Sequence, residues 1–346
     1  MQALVVLASL VADFGSNPGA LDMYEYAPAG LPSGRPIVVV LHGCTQSAAG
    51  MEPSGWNALA DKYQFAVVYP QQRSANQQLS CFTWYGATDI ARTGGEAESI
   101  IQMVDKAIAM HGSDASRVYV TGMSAGGAFT AVMLATYPDR FRAGSIMAGL
   151  PYKCATDLST ASSCSSGVTK SPDEWGALVR SATTYSGGYP RVQIWHGSSD
   201  YTVNTANATE LVKQWTNVWG IAQSADATET VSTATRTQYM AGSTLAVEMY
   251  LVSGMGHAIA IGSDAMGPCP ATLAAFYADE KICSTLRAAE FFKLSEDHDD
   301  GTGGGGGGGG GDDDPANHSG GCSVAGGTSA GVMFALLWCA RRRRRR

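Results

Sequence analysis

Short apolar runs recur along the chain, separated by stretches in which apolar residues return every three or four positions. The runs at 36–41, 65–69, 118–120, 143–147, 192–195 and 246–252 are short and bounded by turn-forming residues. They are predicted to be buried strands. The stretches 56–63, 96–110, 127–137, 171–181 and 207–219 carry the apolar spacing of amphipathic helices. Strand and helix alternate, so the pattern implies an α/β fold with a mostly parallel central sheet and helices on both faces. Ligands of such sheets bind beyond the carboxyl ends of the strands, which directs attention to the loops that follow them.

One of those loops carries a recognisable chemical device. The run Arg117-Val-Tyr-Val-Thr121 leads directly into Gly122-Met-Ser-Ala-Gly126, and a helical pattern follows. A serine on a sharp strand-to-helix turn is a nucleophile elbow. The turn lifts a weakly nucleophilic hydroxyl above the sheet, where a base can take its proton. Ser124 is therefore the candidate nucleophile. The same spelling recurs at Gly327-Thr-Ser-Ala-Gly331, but no strand precedes it, and Ser329 is read as coincidence.

A serine needs a base and an orienting acid, supplied in α/β hydrolases in the chain order Ser, Asp or Glu, His. Four histidines follow Ser124. His298 and His318 lie in a glycine-rich acidic stretch, and His196 ends a strand, where a structural role is expected. His257, in a glycine-flexed loop after the 246–252 strand, is the candidate base. Asp200, in a short turn after the 192–195 strand, is the candidate acid; Glu210 in a helix and Asp226 in a polar loop are weaker. An oxyanion needs two backbone donors. Ala125 follows the nucleophile, and Cys44 lies in the loop after the 36–41 strand. His42 is expected to brace that loop.

Composition divides the chain of 346 residues into parts. Residues 12–294 read as the catalytic domain. Residues 295–321 hold seven acidic and no basic side chains around nine consecutive glycines, a composition that forms no core and serves as a flexible linker. Residues 322–346 run from Cys322 through small and apolar residues to six arginines. This resembles a weakly apolar membrane segment with a cytoplasmic anchor. Residues 1–11 read as a first strand, the remnant of a signal peptide, or both in overlap. The net charge of −7 shows no basic face for a nucleic acid, and no cysteine or histidine spacing suits a metal. No cofactor is expected, and the domain is expected to act as a monomer. Six of the eight cysteines lie inside the domain, as free thiols or as disulfides whose connectivity the sequence leaves open.

With these residues in place, the chain from about 12 to 294 resembles the catalytic domain of extracellular polyhydroxybutyrate depolymerases, a family related to acetylxylan and feruloyl esterases. The likeness is carried by Asp13-Phe-Gly-Ser-Asn-Pro-Gly19, Val38-Val-Val-Leu-His-Gly-Cys-Thr-Gln46, Asp89-Ile-Ala-Arg-Thr-Gly-Gly-Glu96 and Tyr119-Val-Thr-Gly-Met-Ser-Ala-Gly-Gly127. Further likeness lies in Ala148-Gly-Leu-Pro-Tyr152, Glu174-Trp-Gly176, Gln193-Ile-Trp-His-Gly197 and Gly254-Met-Gly-His257. The resemblance implies an α/β-hydrolase fold, a Ser124, Asp200, His257 triad, oxyanion donors at Cys44 and Ala125, and no metal. It also implies a Cys44 to Cys81 disulfide beside the site, and with short loops it favours Cys154 to Cys164 and Cys269 to Cys283.

Such a protein would be secreted or displayed on a Gram-negative-type bacterium, acting on a polyester or, as the alternative, an acylated polysaccharide. The tail resembles the sorting signals of myxobacterial surface proteins, which implies a processing protease and lipid attachment at Cys322. The competing class is a non-catalytic surface binding module, against which the complete Ser124, Asp200 and His257 set argues.

Overall fold

A computed structural model describes residues 8–296. Ten strands form one sheet: β1 (Ser9–Val11), β2 (Asp22–Tyr26), β3 (Ile37–Leu41), β4 (Ala66–Gln71), β5 (Val118–Met123), β6 (Ala143–Met147), β7 (Arg191–Gly197), β8 (Ala227–Val231), β9 (Ala234–Ala241) and β10 (Thr244–Val252). The helices are α1 (Ala48–Met51), α2 (Trp56–Tyr63), α3 (Gly95–His111), α4 (Ala125–Thr136), α5 (Leu158–Ser166), α6 (Pro172–Arg180), α7 (Ala206–Trp219) and α8 (Ser284–Phe291). β11 (Ile259–Ile261) and β12 (Tyr277–Asp279) make a separate parallel pair.

The strand order is β1-β2-β4-β3-β5-β6-β7-β10-β9-β8. From β4 to β10 all neighbours are parallel, and antiparallel strands close both edges. This is the mostly parallel sheet of an α/β hydrolase, with the expected alternation of strand and helix. β3 shows why the apolar runs lack a polar face. Its five side chains are all buried, and because successive residues point to opposite faces they feed two cores. Val39 and Leu41 pack with Ile100, Val104 and Phe129 of α3 and α4. Val38 and Val40 pack with Trp56 and Leu59 of α2 and with Phe292. Each such side chain contributes about 1.5–3 kcal/mol of gross burial.

The elements without an apolar run are those the sequence pattern does not reveal. β2 interrupts its apolar residues with Asp22 and Glu25, and β8 is exposed along most of its length. α8 buries Ser284, Thr285 and Arg287, the last bonded to Asp264 at 2.7 Å. At the amino end, Ser9–Val11 pairs with residues 23–25 of β2, so part of the 1–11 segment belongs to the sheet.

Among the described residues three disulfides are formed, and each joins cysteines that are neighbours in sequence: Cys44 to Cys81, Cys154 to Cys164, and Cys269 to Cys283. Among the described residues no helix is long and apolar enough to cross a membrane. The glycine tract, His298, His318, Cys322, Ser329 and the arginine tail lie outside the described residues.

Candidate active site

The elbow is built by close backbone packing. Ser124 sits between β5 and α4 with φ 57° and ψ −120°, a region that costs a non-glycine residue on the order of 1–3 kcal/mol. A Cβ on Gly122 would lie 2.5 Å from the Gly126 carbonyl oxygen, and one on Gly126 would lie 2.3 Å from that of Leu41. Only glycine admits this crossing of β5, α4 and the end of β3. The Ser124 amide donates to the Met147 carbonyl of β6 at 2.9 Å, which holds the strained residue in place. α4 begins at Ala125, so the Ala125 amide belongs to a first helical turn, where N–H groups lack intrahelical acceptors.

Asp200 and His257 meet because β7 and β10 are adjacent parallel strands, with His196 opposite Leu251 and Gly197 opposite Val252. The loops leaving these strands are stitched together. Ser198 and Ser199 amides donate to Val252 and Met255 carbonyls, each at 2.9 Å, and the Gly254 amide donates to Ser198 Oγ at 2.8 Å. A Cβ on Gly197 would lie 2.2 Å from the Met255 carbonyl oxygen. His257 Nδ1 then lies 2.7 Å from Asp200 Oδ2, while Asp200 Oδ1 accepts from the Thr202 and Val203 amides at 2.9 Å. Burial raises the Asp200 pKa, but hydrogen bonds from His196 and His257, the His257 charge and the Val203 amide outweigh it. The carboxyl is held well below the usual carboxylate range. His257 thus donates from Nδ1, leaving Nε2 as its acceptor.

His196 does more than end a strand. Its Nε2 lies 2.8 Å from the Val203 carbonyl oxygen and 3.4 Å from Asp200 Oδ2, so the ring supports the acid directly. Glu210 is engaged elsewhere, by Trp175 Nε1 at 2.6 Å and Lys213 Nζ at 2.7 Å. Asp226 accepts from the Met240 amide at 2.7 Å beside β9. Neither lines the site.

The loop after β3 forms the opposite wall. Its Gly43, Thr45 and Gln46 amides donate to Gln46 Oε1, the Leu79 carbonyl and the Gly43 carbonyl. Cys44 lies between them and faces the pocket. His42, fully buried, contacts the Gly43 carbonyl through Nδ1 at 2.8 Å and accepts the Gln72 amide at Nε2 at 3.0 Å. Since Nε2 accepts, Nδ1 carries the proton and donates. Burial lowers the ring pKa to about 4, although the Gly43 contact opposes it, so His42 braces the loop as a neutral group.

Ser124 and His257 line one pocket of about 230 Å³ together with Gly43, Cys44, Thr45, Gln46, Met123, Thr202 and Phe276. Phe276 holds φ 68°, a conformation unusual for a bulky side chain. Its presence at the pocket, like that of Thr202, follows from loop packing and has no local sequence signal. Among the described residues no group of three or more His, Cys, Asp or Glu side chains is placed to hold a metal ion.

The family model for the PHB depolymerase esterases matches residues 21–239. The chain belongs to this family. It is 47% identical over 287 residues to poly(3-hydroxyalkanoate) depolymerase C of Paucimonas lemoignei, covering 82% of this chain and 69% of that one. It is 37% identical over 268 residues to feruloyl esterase B of Talaromyces stipitatus, covering 73% of each. Among solved structures, acetyl xylan esterase from Aspergillus awamori superposes with a TM-score of 0.71 at 29% identity, covering 84% of this chain and all of that one. As a member of the PHB depolymerase esterases, the chain is a carboxylic-ester hydrolase.

Proposed function

We propose that this esterase cleaves poly(3-hydroxybutyrate)-type polyesters or their oligomers through a Ser124, His257, Asp200 acyl-enzyme. The observation that carries the mechanism is the shared pocket of Ser124 and His257, with His257 Nδ1 bonded to Asp200. Ser124 Oγ attacks the ester carbonyl and passes its proton to His257 Nε2; the carbonyl oxygen becomes an oxyanion received by the Cys44 and Ala125 amides. Collapse expels the alcohol, which takes the proton from His257. Water, deprotonated by the same ring, then releases the acid and restores Ser124.

The substrate reading rests on the pocket and its rim. Its volume is below the roughly 300–1,000 Å³ typical of drug-sized ligand sites, which suits a short hydroxyacyl unit. Phe276, which lines the pocket, is 42% exposed, and two further exposed apolar side chains lie on segments next to its lining: Leu79, whose carbonyl accepts from the Thr45 amide, is 56% exposed, and Tyr201, which precedes Thr202, is 95% exposed. An uncharged polyester favours such a rim more than a hydroxyl-rich polysaccharide does. The identity of 47% to a depolymerase against 37% to a feruloyl esterase points the same way. Three disulfides fit an oxidising compartment, and the Cys322–Arg346 tail is read as the anchor that keeps the enzyme at the cell surface.

The test compares wild type and Ser124→Ala on p-nitrophenyl butyrate, a 3-hydroxybutyrate polyester film, and feruloylated and acetylated xylan. The alanine variant is expected to lose about three decades or more of turnover and all labelling by a fluorophosphonate. Wild-type activity on xylan esters with none on the film would replace the polyester reading by the polysaccharide one. Active Ser124→Ala would end the mechanism.

A further inference from the structure

Behind the oxyanion loop lies a buried carboxyl that the reaction scheme does not use. Glu96, in the first turn of α3 and 2% exposed, receives three hydrogen bonds. Thr83 donates to it twice, from its amide to Oε2 at 2.8 Å and from Oγ1 to Oε1 at 2.7 Å; Gln72 Nε2 donates to Oε1. Burying a carboxyl in this way is costly, and its partners are the two segments that frame Cys44.

Gln72 follows β4. Its backbone amide holds His42 Nε2 at 3.0 Å, and His42 Nδ1 holds the Gly43 carbonyl at 2.8 Å, one residue before Cys44. The Gln72 side chain also donates to the Cys81 carbonyl at 3.2 Å, and Thr83 lies two residues beyond Cys81. The Cys44 to Cys81 disulfide joins the same two segments covalently. Glu96 is the point where their inner sides converge.

We propose that Glu96 is a positioning residue for the oxyanion loop, fixing through Gln72, His42 and Thr83 the backbone that presents the Cys44 amide. This rests on the oxyanion role assigned above. The requirement is for a carboxylate, because all three partners are donors. A glutamine at 96 turns its own amide N–H toward either Gln72 or Thr83. Gln72 cannot flip to accommodate it, since its Oε1 already accepts from the Arg73 amide at 2.9 Å and Asn76 Nδ2 at 2.8 Å.

The experiment is a double-mutant cycle on the full chain at pH 8 with p-nitrophenyl butyrate, using Glu96→Gln, Gln72→Met and the pair. A slackened oxyanion donor lowers kcat and spares ground-state binding. Each single variant is expected to lose about tenfold or more in kcat, below the roughly 10²–10³ of deleting an oxyanion donor outright, with KM within about twofold. The pair is expected to be no worse than the poorer single variant, because both break one connection. Gln72→Met keeps the test open if Glu96→Gln does not fold. Wild-type kcat in either variant, a parallel rise in KM, or additive losses would overturn the proposal. Ser124→Ala separates the two readings: if it stays active the acyl-enzyme scheme itself fails, whereas an inactive Ser124→Ala beside a fully active Glu96→Gln removes only the role of Glu96.

Discussion

The His257 ring reaches the Asp200 carboxylate at 2.7 Å across 57 residues of chain, and it does so because the intervening β8 and β9 lie outside β10 in the sheet. β10 is left against β7, so two loops distant in sequence leave neighbouring strand ends and bond to each other. The acid also has a second histidine, His196, at 3.4 Å.

Asp200→Asn separates orientation from folding. The asparagine oxygen can still accept the Thr202 and Val203 amides at the Oδ1 position, but its NH2 group then faces His257 Nδ1 and reverses the tautomer. The expected loss is about four decades in kcat, the size seen for this change in serine-protease triads, with a melting transition that stays cooperative. Turnover within tenfold of wild type would remove Asp200 from the site.

His42 makes stability depend on acid. Its folded pKa is about 4, whereas an unfolded histidine titrates near ~6.5. Between these values the unfolded chain binds the extra proton, so unfolding free energy falls as pH is lowered through this window and is level above it, where both states hold a neutral ring. The contribution at stake is about 3 kcal/mol. Imidazole NMR should place the His42 midpoint near 4; a midpoint at or above 6 would contradict a neutral brace.

The disulfides should differ in their effects. Closing the 37-residue separation between Cys44 and Cys81 is worth about 4 kcal/mol by chain entropy, and the 10-residue one between Cys154 and Cys164 about 3 kcal/mol. Replacing the first pair by serines should lower both Tm and kcat, because Cys44 lines the pocket. Replacing the second should lower Tm alone. Equal kcat in both variants would detach the first disulfide from catalysis.

The apolar rim should matter for a solid substrate and little for a soluble one. Tyr201→Ala and Leu79→Ala together remove two exposed apolar surfaces, each worth on the order of 1–2 kcal/mol if buried against polymer. Adsorption to and product release from a polyester film should fall about tenfold or more. Rates on p-nitrophenyl butyrate should stay within about twofold. Unchanged film turnover would show that the rim does not dock the polymer.

What the sequence determined by itself is local or strongly periodic. The α/β alternation was legible because strands buried on both faces must be apolar at every position, as β3 is. Ser124 was legible because strand, turn and helix follow one another within a dozen residues, and its glycines answer a backbone crossing that no other residue fits. Asp200 and His257 could be chosen as residues in loops after strands, but their pairing required β10 to lie beside β7, which is a property of strand order. The support of Asp200 by His196, the entry of Phe276 into the pocket and the convergence of Gln72 and Thr83 on Glu96 were decided by tertiary structure alone. Each depends on hydrogen bonding or packing between segments far apart in the chain, and hydrophobic periodicity reports which face of an element is buried, not which distant polar group it will meet.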